Sequence, residues 1–257
     1  MNRLITVLIL VFGCSRGEYS DSLGREIIYP LAVDAYNHGV ENCIQNTLGD
    51  HDFGGQFTVQ CDSKKDTCSA YVVAHPGSKI VAIVFRGSTS EGEVEQEANE
   101  TLNQPMVPFV GDYQVVVTGH SLGAAEATIC AGTLAALKYV NSSKLLLMTF
   151  GSPRTGDKEF ADAYKNLVPE AYRVVHKNDL IPHLPPEGLL GYIHIASEIW
   201  YNNNMKCDDP YVICDEEESF KCSNQVLTPT MEDHGEYYGL RNYLGNHECV
   251  PPGKPCS

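Results

Sequence analysis

Val115-Val116-Val117-Thr118-Gly119-His120-Ser121-Leu122-Gly123-Ala124-Ala125 decides how this chain is read. A β-rich run ends in Gly-x-Ser-x-Gly, and an Ala-rich stretch follows as far as Val140. The pattern predicts a strand over Tyr113–Thr118 that turns sharply into a helix over Ser121–Val140. Glycines at 119 and 123 let strand and helix approach closely. Ser121 is then lifted to the tip of the turn, its Oγ exposed and the amides of the helix N-terminus facing the same point. Gly-x-Ser-x-Gly alone is common by chance; between a strand and a helix it reads as a nucleophile elbow.

Working outward, Ser69–Val73, Lys79–Phe85, Leu145–Phe150 and Arg173–Val175 read as further strands. Lys79–Phe85 is the continuous apolar run of a strand buried on both faces. Ile27–Tyr36, Glu91–Leu102 and Asp157–Asn166 read as helices, with Pro30 limiting where the first can begin. Strands alternating with helices imply an α/β fold: a mostly parallel sheet with crossover helices, followed by a loop-rich, cysteine-rich C-terminal part. At 257 residues one such domain accounts for the chain.

Charge and cysteines bound the setting. Lys plus Arg number 18 against 33 Asp plus Glu, a net charge of −15 that excludes nucleic acid and disfavours anionic lipid headgroups. Asn2 and Arg3, the apolar run Leu4–Cys14 and then Ser15-Arg16-Gly17 have the form of a secretory signal peptide over residues 1–17. The apolar run is too short to span a bilayer, so no transmembrane segment is expected and residues 18–257 form the exported domain. Eight cysteines lie in polar, loop-like surroundings: Cys43, Cys61, Cys68, Cys207, Cys214, Cys222, Cys249 and Cys256. They form an even set without the tight spacings of a zinc site, so disulfides are expected and a metal is not. Cys130, in the Ala-rich helix, is expected to be a buried free thiol. In an exported chain, Asn99 and Asn141 are glycan acceptors.

A nucleophilic serine needs a base, and the base a carboxylate. The chain order that goes with a strand–serine–helix elbow is Ser, acid, His, so both partners lie C-terminal to Ser121. Of the downstream histidines, His176 ends a strand, His194 sits in an apolar run, His183 is hemmed by prolines and His247 adjoins Cys249. His234, in the polar segment Met231–Tyr238, can fold back over the sheet. For the acid, Asp179 lies just beyond the Arg173–Val175 strand, where an open α/β sheet takes its functional groups. Asp157 reads as a helix cap, and Asp233 adjoins the histidine too closely to bond its ring.

Several stretches together carry a resemblance. They are Phe85-Arg86-Gly87-Ser88, the Gly119–Ala125 elbow, Thr149–Gly156, Arg173–Pro186, Tyr192-Ile193-His194 with Glu198-Ile199-Trp200, and Asp233-His234 with Tyr237. In this order they resemble the class 3 (fungal-type) triacylglycerol lipases of the α/β-hydrolase superfamily, and the cysteines make the chain most similar to secreted nematode-type members. The resemblance implies Ser121 as nucleophile, Asp179 as acid and His234 as base, with the amides of Ser88 and Leu122 as oxyanion hole. It implies a monomeric, cofactor-free hydrolase of lipid or small esters. Cys214 and Cys222 resemble a disulfide-bonded pair of some fungal members. Cys61–Cys68 is the other expected short pair, and one of the remaining bridges is expected to tie the N-terminal helix region to the C-terminal tail.

The chain departs from the family before the elbow. Only 32 residues separate Ser88 from Ser121, where family members insert a further strand and a long helix. The crossover Thr89–Asp112 is therefore minimal, and the lid candidate Glu91–Leu102 carries five Glu and no aromatic residue. An esterase follows from an intact triad; a catalytically inactive binding protein for apolar ligands follows if the short crossover disables it.

Overall fold

The computed structural model describes residues 18–37, 39–61, 67–89, 112–195, 197–241 and 249. Residues 1–17, Glu91–Leu102 with Asn99, His247 and Cys256 lie outside the described residues. Near the N-terminus α1 (Asp21–Leu23) runs into a π-helical turn over Gly24–Ile28 and then α2 (Tyr29–Asp34). The helical segment therefore begins earlier than Ile27. Pro30 follows the π-helical turn inside this continuous helical segment, and the wider bonding of that turn, with the Tyr29 N–H reaching the Gly24 carbonyl, accommodates a residue that has no N–H. After α3 (Glu41–Leu48) come β1 (Asp52–Gln60), β2 (Thr67–His75), β3 (Ile80–Phe85) and β4 (Gln114–His120). Next are α4 (Leu122–Ala136), β5 (Leu145–Phe150), α5 (Lys158–Leu167), β6 (Glu170–His176), β7 (Glu198–Tyr201) and β8 (Val212–Cys214). The described chain closes with α6 (Met231–His234) and a small hairpin of β9 (Glu236–Tyr237) and β10 (Leu240–Arg241).

β1 to β8 form one sheet in sequence order. β3 to β7 are parallel, while β1, β2 and β8 run antiparallel to their neighbours. The residues between Phe85 and Gln114 thus connect two adjacent parallel strands, Val81 lying opposite Val115 and Phe85 opposite Gly119. Side chains alternate between faces with the pleat. Val115, Val117, Leu145 and Leu147 pack with α4 and α5. Val116, Leu146, Met148 and Phe150 pack with Tyr29, Ala32 and Tyr237 on the other face. Burial on both faces goes with the apolar runs Val115–Val117 in β4 and Leu145–Met148 in β5.

α4 is covered on most of its surface, and its alanines let it lie close to β4. Asp157 is the N-cap of α5, its carboxylate accepting the Phe160 N–H at 2.9 Å. Disulfides join Cys43 to Cys249, Cys61 to Cys68 and Cys214 to Cys222. Cys207 is disulfide-bonded as well. The Cys43–Cys249 bridge spans 206 residues and ties α3 to the C-terminal tail, a long closure that narrows the unfolded ensemble. Cys130 is free but only half-buried, because α4 turns it away from the centre of the packed face. Removal of the sulfur from water, and next the Glu126 carboxylate, push the thiol up to about 12. No helix among the described residues is long and apolar enough to cross a membrane.

Candidate active site

Ser121 caps α4 with φ 60° and ψ −130°, a strained conformation for a residue with a side chain. The glycines on either side make the turn possible. A Cβ on Gly119 would come within 2.2 Å of the Gly123 carbonyl oxygen, and one on Gly123 within 2.5 Å of the Phe85 carbonyl oxygen. The Ser121 N–H is fixed by the Phe150 carbonyl at 3.0 Å. The segment after β3 crosses directly over this turn: a Cβ on Gly87 would lie 3.0 Å from the Ser121 Cβ. Ser88, next in the chain, is buried there, and Leu122 opens α4 on the other side of Ser121.

Asp179 and His234 arrive from opposite directions. Asp179 follows the end of β6, and His234 is the last residue of α6. A parallel bridge between Asp179 and Thr230, the N-cap of α6, sets the two segments side by side. The His234 ring nitrogen Nδ1 lies 2.9 Å from each carboxylate oxygen of Asp179. Asp179 also accepts the Tyr237 hydroxyl at 2.6 Å and the Ile181 N–H at 2.9 Å. Burial pushes this carboxylate up, but His234, Tyr237 and the Ile181 amide outweigh burial and hold it below the usual carboxylate range. An ionised Asp179 fixes the Nδ1–H tautomer of His234, and Nε2 then carries the lone pair.

The base is also held from the elbow side. His120 donates from Nε2 to the His234 carbonyl at 3.0 Å, and its Nδ1 accepts from the Tyr36 hydroxyl at 3.0 Å. The two imidazole rings stack at 4.4 Å. Burial and the His234 ring push His120 down to about 3, so it stays neutral, as one donated and one accepted bond require. Gly151, at φ +56°, lets the cluster close. A Cβ there would lie 2.6 Å from Asp179 Oδ2 and 2.8 Å from His234 Nδ1.

Of the residues singled out in the sequence, Ser121 and Leu122 follow the carboxyl end of β4, Ser88 that of β3 and Asp179 that of β6, and His234 reaches this edge by stacking on His120, the neighbour of Ser121. Two of the competing histidines are engaged elsewhere. His194 donates from Nε2 to Pro182, and both His176 nitrogens face backbone carbonyls. Asp233 bonds Thr230 and the Asn178 amide, and His183 lies half-buried after the Asp179 turn. Sequence reasoning missed the supporting roles of His120, Tyr36, Gly151 and the Tyr237 hydroxyl. A histidine inside the elbow and a tyrosine three residues after the base were visible, but only tertiary contact gives them partners. Among the described residues no cluster of side chains has the make-up of a metal site.

An open α/β sheet, a strained serine between strand and helix, and a buried His–Asp pair beside it define an α/β-hydrolase with the outline of a serine hydrolase. The family model of class 3 lipases matches residues 44–189. A lipase of Caenorhabditis elegans is 30% identical over 91% of this chain and 82% of its own length. The lipase of Rhizomucor miehei is 36% identical over 72% of this chain and 62% of its own length. The solved structure of that triacylglyceride lipase matches with TM-score 0.70 and 27% identity over 89% of this chain and 98% of that one. A further solved triacylglycerol lipase, whose catalytic centre is formed by a serine protease triad, matches with TM-score 0.67 and 26% identity over 84% of this chain and 93% of that one. The chain belongs to the class 3 lipase family and is a carboxylic ester hydrolase.

Proposed function

We propose that this protein is a secreted serine esterase that cleaves esters of acylglycerols or related lipids through an acyl-enzyme on Ser121. The bidentate approach of His234 Nδ1 to Asp179, beside an elbow serine, carries the reading. As Ser121 Oγ attacks the ester carbonyl, His234 Nε2 takes its proton, and Asp179 stabilises the imidazolium without itself becoming protonated. The amides of Ser88 and Leu122 receive the charge of the tetrahedral oxygen. His234 then protonates the leaving alcohol, and water, deprotonated by the same histidine, releases the acid.

Residues 1–17 as a leader, 18–257 as the exported domain and the disulfides support secretion. Asn141 lies exposed on the turn before β5, its Oδ1 accepting the Ser143 N–H and hydroxyl, at the end of the sheet away from Ser121. A glycan there leaves the site open.

Ser121→Ala should lower kcat on a short soluble ester roughly 10⁶-fold, and adding Asp179→Ala or His234→Ala should cost almost nothing more. Hydrolysis surviving in purified Ser121→Ala overturns the assignment. The segment Glu91–Leu102 sharpens the substrate class. A lid transfers apolar surface to lipid at about 25 cal/mol per Å², and this segment offers only Val94, Ala98 and Leu102 among five Glu. Hydrolysis of esters of increasing chain length should therefore show no jump at the solubility limit. A sharp rise on emulsified long-chain triglyceride, abolished by deleting Glu91–Leu102, would make the segment a working lid.

A further inference from the structure

The turn that carries Asp179 is held on its outer side through three backbone carbonyls. The Pro182 carbonyl accepts from His194 Nε2 at 2.7 Å. The Leu184 carbonyl accepts the Arg154 backbone N–H at 2.8 Å, and the Pro185 carbonyl accepts Arg154 Nη1 at 2.9 Å. His194 and Arg154 converge on one carboxylate. Glu218 receives Arg154 Nε at 2.8 Å and Nη2 at 2.6 Å, and the backbone N–H of His194 at 2.8 Å. The Arg154 and Glu218 side chains are 2% and 9% exposed. Glu218 stands at φ +51°, in a loop closed by the Cys214–Cys222 disulfide.

On its inner side the same turn is tied to the base. The Leu180 N–H donates to the Thr230 carbonyl at 3.0 Å and the Thr230 N–H to the Asn178 carbonyl at 2.7 Å, and Thr230 caps α6. The acid turn thus lies between the base helix and the Arg154–Glu218 pair. Slack on the outer side changes where Asp179 stands relative to His234.

We propose that Arg154 and Glu218 are positioning residues for Asp179, fixing the direction of its carboxylate without touching the reacting atoms. A buried ion pair is a poor source of stability, since well-packed apolar side chains of similar volume often do as well. What a planar guanidinium adds is direction: a two-pronged bond to Glu218 and a third bond, at a fixed angle, to Pro185. The inference rests on the reading of Asp179 as the acid of the site.

The test is the double variant Arg154→Met/Glu218→Leu of the full chain, which removes both charges and leaves no unpaired ion. Two measurements are made on it and on the wild type. One is the far-downfield proton resonance of His234 Nδ1–H; the other is kcat and KM per titrated active site on a soluble ester across pH. The expected result is a broadened or lost resonance and kcat per site down about tenfold with KM little changed. The acid limb of kcat/KM should move down by about half a pH unit, because a misaligned carboxylate stabilises the imidazolium less. Arg154→Lys, charged but one-pronged, should fall between.

A folded double variant that keeps the resonance and has kcat within about twofold of wild type overturns the proposal. A merely structural role would reduce the number of titrated sites and leave the acid limb unmoved, and that result overturns it too. If the double variant does not fold, Arg154→Lys and Glu218→Gln decide by the same measurements. If the wild type hydrolyses no ester, the reading of the site fails, while the resonance still decides the positioning.

Discussion

The elbow and the acid–base pair are built in opposite ways. Ser121 is placed by its immediate neighbours in the chain: β4 before it, α4 after it and two glycines that let backbone meet backbone. Asp179 and His234 are 55 residues apart and meet through hydrogen bonds from segments with little regular structure of their own. The first arrangement is local and rigid. The second is long-range, made of side chains and carbonyls, and is therefore the part that substitution can loosen without unfolding the sheet.

The largest effects should separate the two regions. Gly119→Ala puts a methyl 2.2 Å from a backbone oxygen that cannot move without breaking α4 away from β4. It should leave no soluble folded protein, as judged by circular dichroism and yield. Gly151→Ala meets instead the tips of Asp179 and His234, which can shift. That variant should fold, yet lose about 10²-fold in kcat, the order expected when reacting groups are displaced by an ångström. Equal folding defects in both would erase the distinction.

Tyr237→Phe removes one bond to the Asp179 carboxylate and leaves three donor contacts in place. A charge-assisted hydrogen bond of this kind is worth about 1.5–3 kcal/mol, so kcat/KM should fall about tenfold or somewhat more, with the acid limb of its pH profile displaced. An unchanged profile would mean that His234 and the Ile181 amide hold Asp179 alone.

The last effect is one of pH on stability, not on rate. His120 is held down to about 3, chiefly by burial and next by the His234 ring, and His194 well below its ordinary value, chiefly by burial and next by Arg173. Below about pH 6.5 the unfolded chain binds protons at these positions and the folded one does not, so stability falls with acidification, by up to about 1.4 kcal/mol per pH unit per group. The lowered Asp179 carboxylate adds a loss of the same sign near and below pH 4. His120→Gln should flatten the dependence of Tm on pH between about 4 and 6.5 relative to wild type. An undiminished slope would place the proton uptake elsewhere.

What could be read from the sequence follows the same division. Gly-x-Ser-x-Gly between an apolar run and an Ala-rich stretch prescribes the elbow because every determinant lies within a few residues. β5 was legible over Leu145–Phe150 for the same reason, its alternating side chains all meeting apolar neighbours. β1, with Gly54 and Gly55 and mostly exposed side chains, has no apolar alternation to betray it. It is a strand because β2 pairs with it, through a register shift at Phe53 and Gly55. β7 and β8 are short; β7 takes its partners on β6 from 25 residues away, and β8 its partners on β7 across an irregular connection. Asp179 and His234 could be ranked by chain order and by family resemblance, but their supports could not. No local signal announces that His120 reaches the His234 carbonyl, or that Gly151 must lack a side chain.

The central claim is that the locally built serine is activated by the long-range pair. The most direct measurement is the rate at which a fluorophosphonate labels the protein, with the modified residue located by mass spectrometry. Wild type should be labelled on Ser121 alone, and His234→Ala should slow that labelling by roughly 10³-fold or more while leaving the thermal transition cooperative. Labelling of Ser121 at an undiminished rate in His234→Ala, or labelling on any residue other than Ser121, would contradict the account.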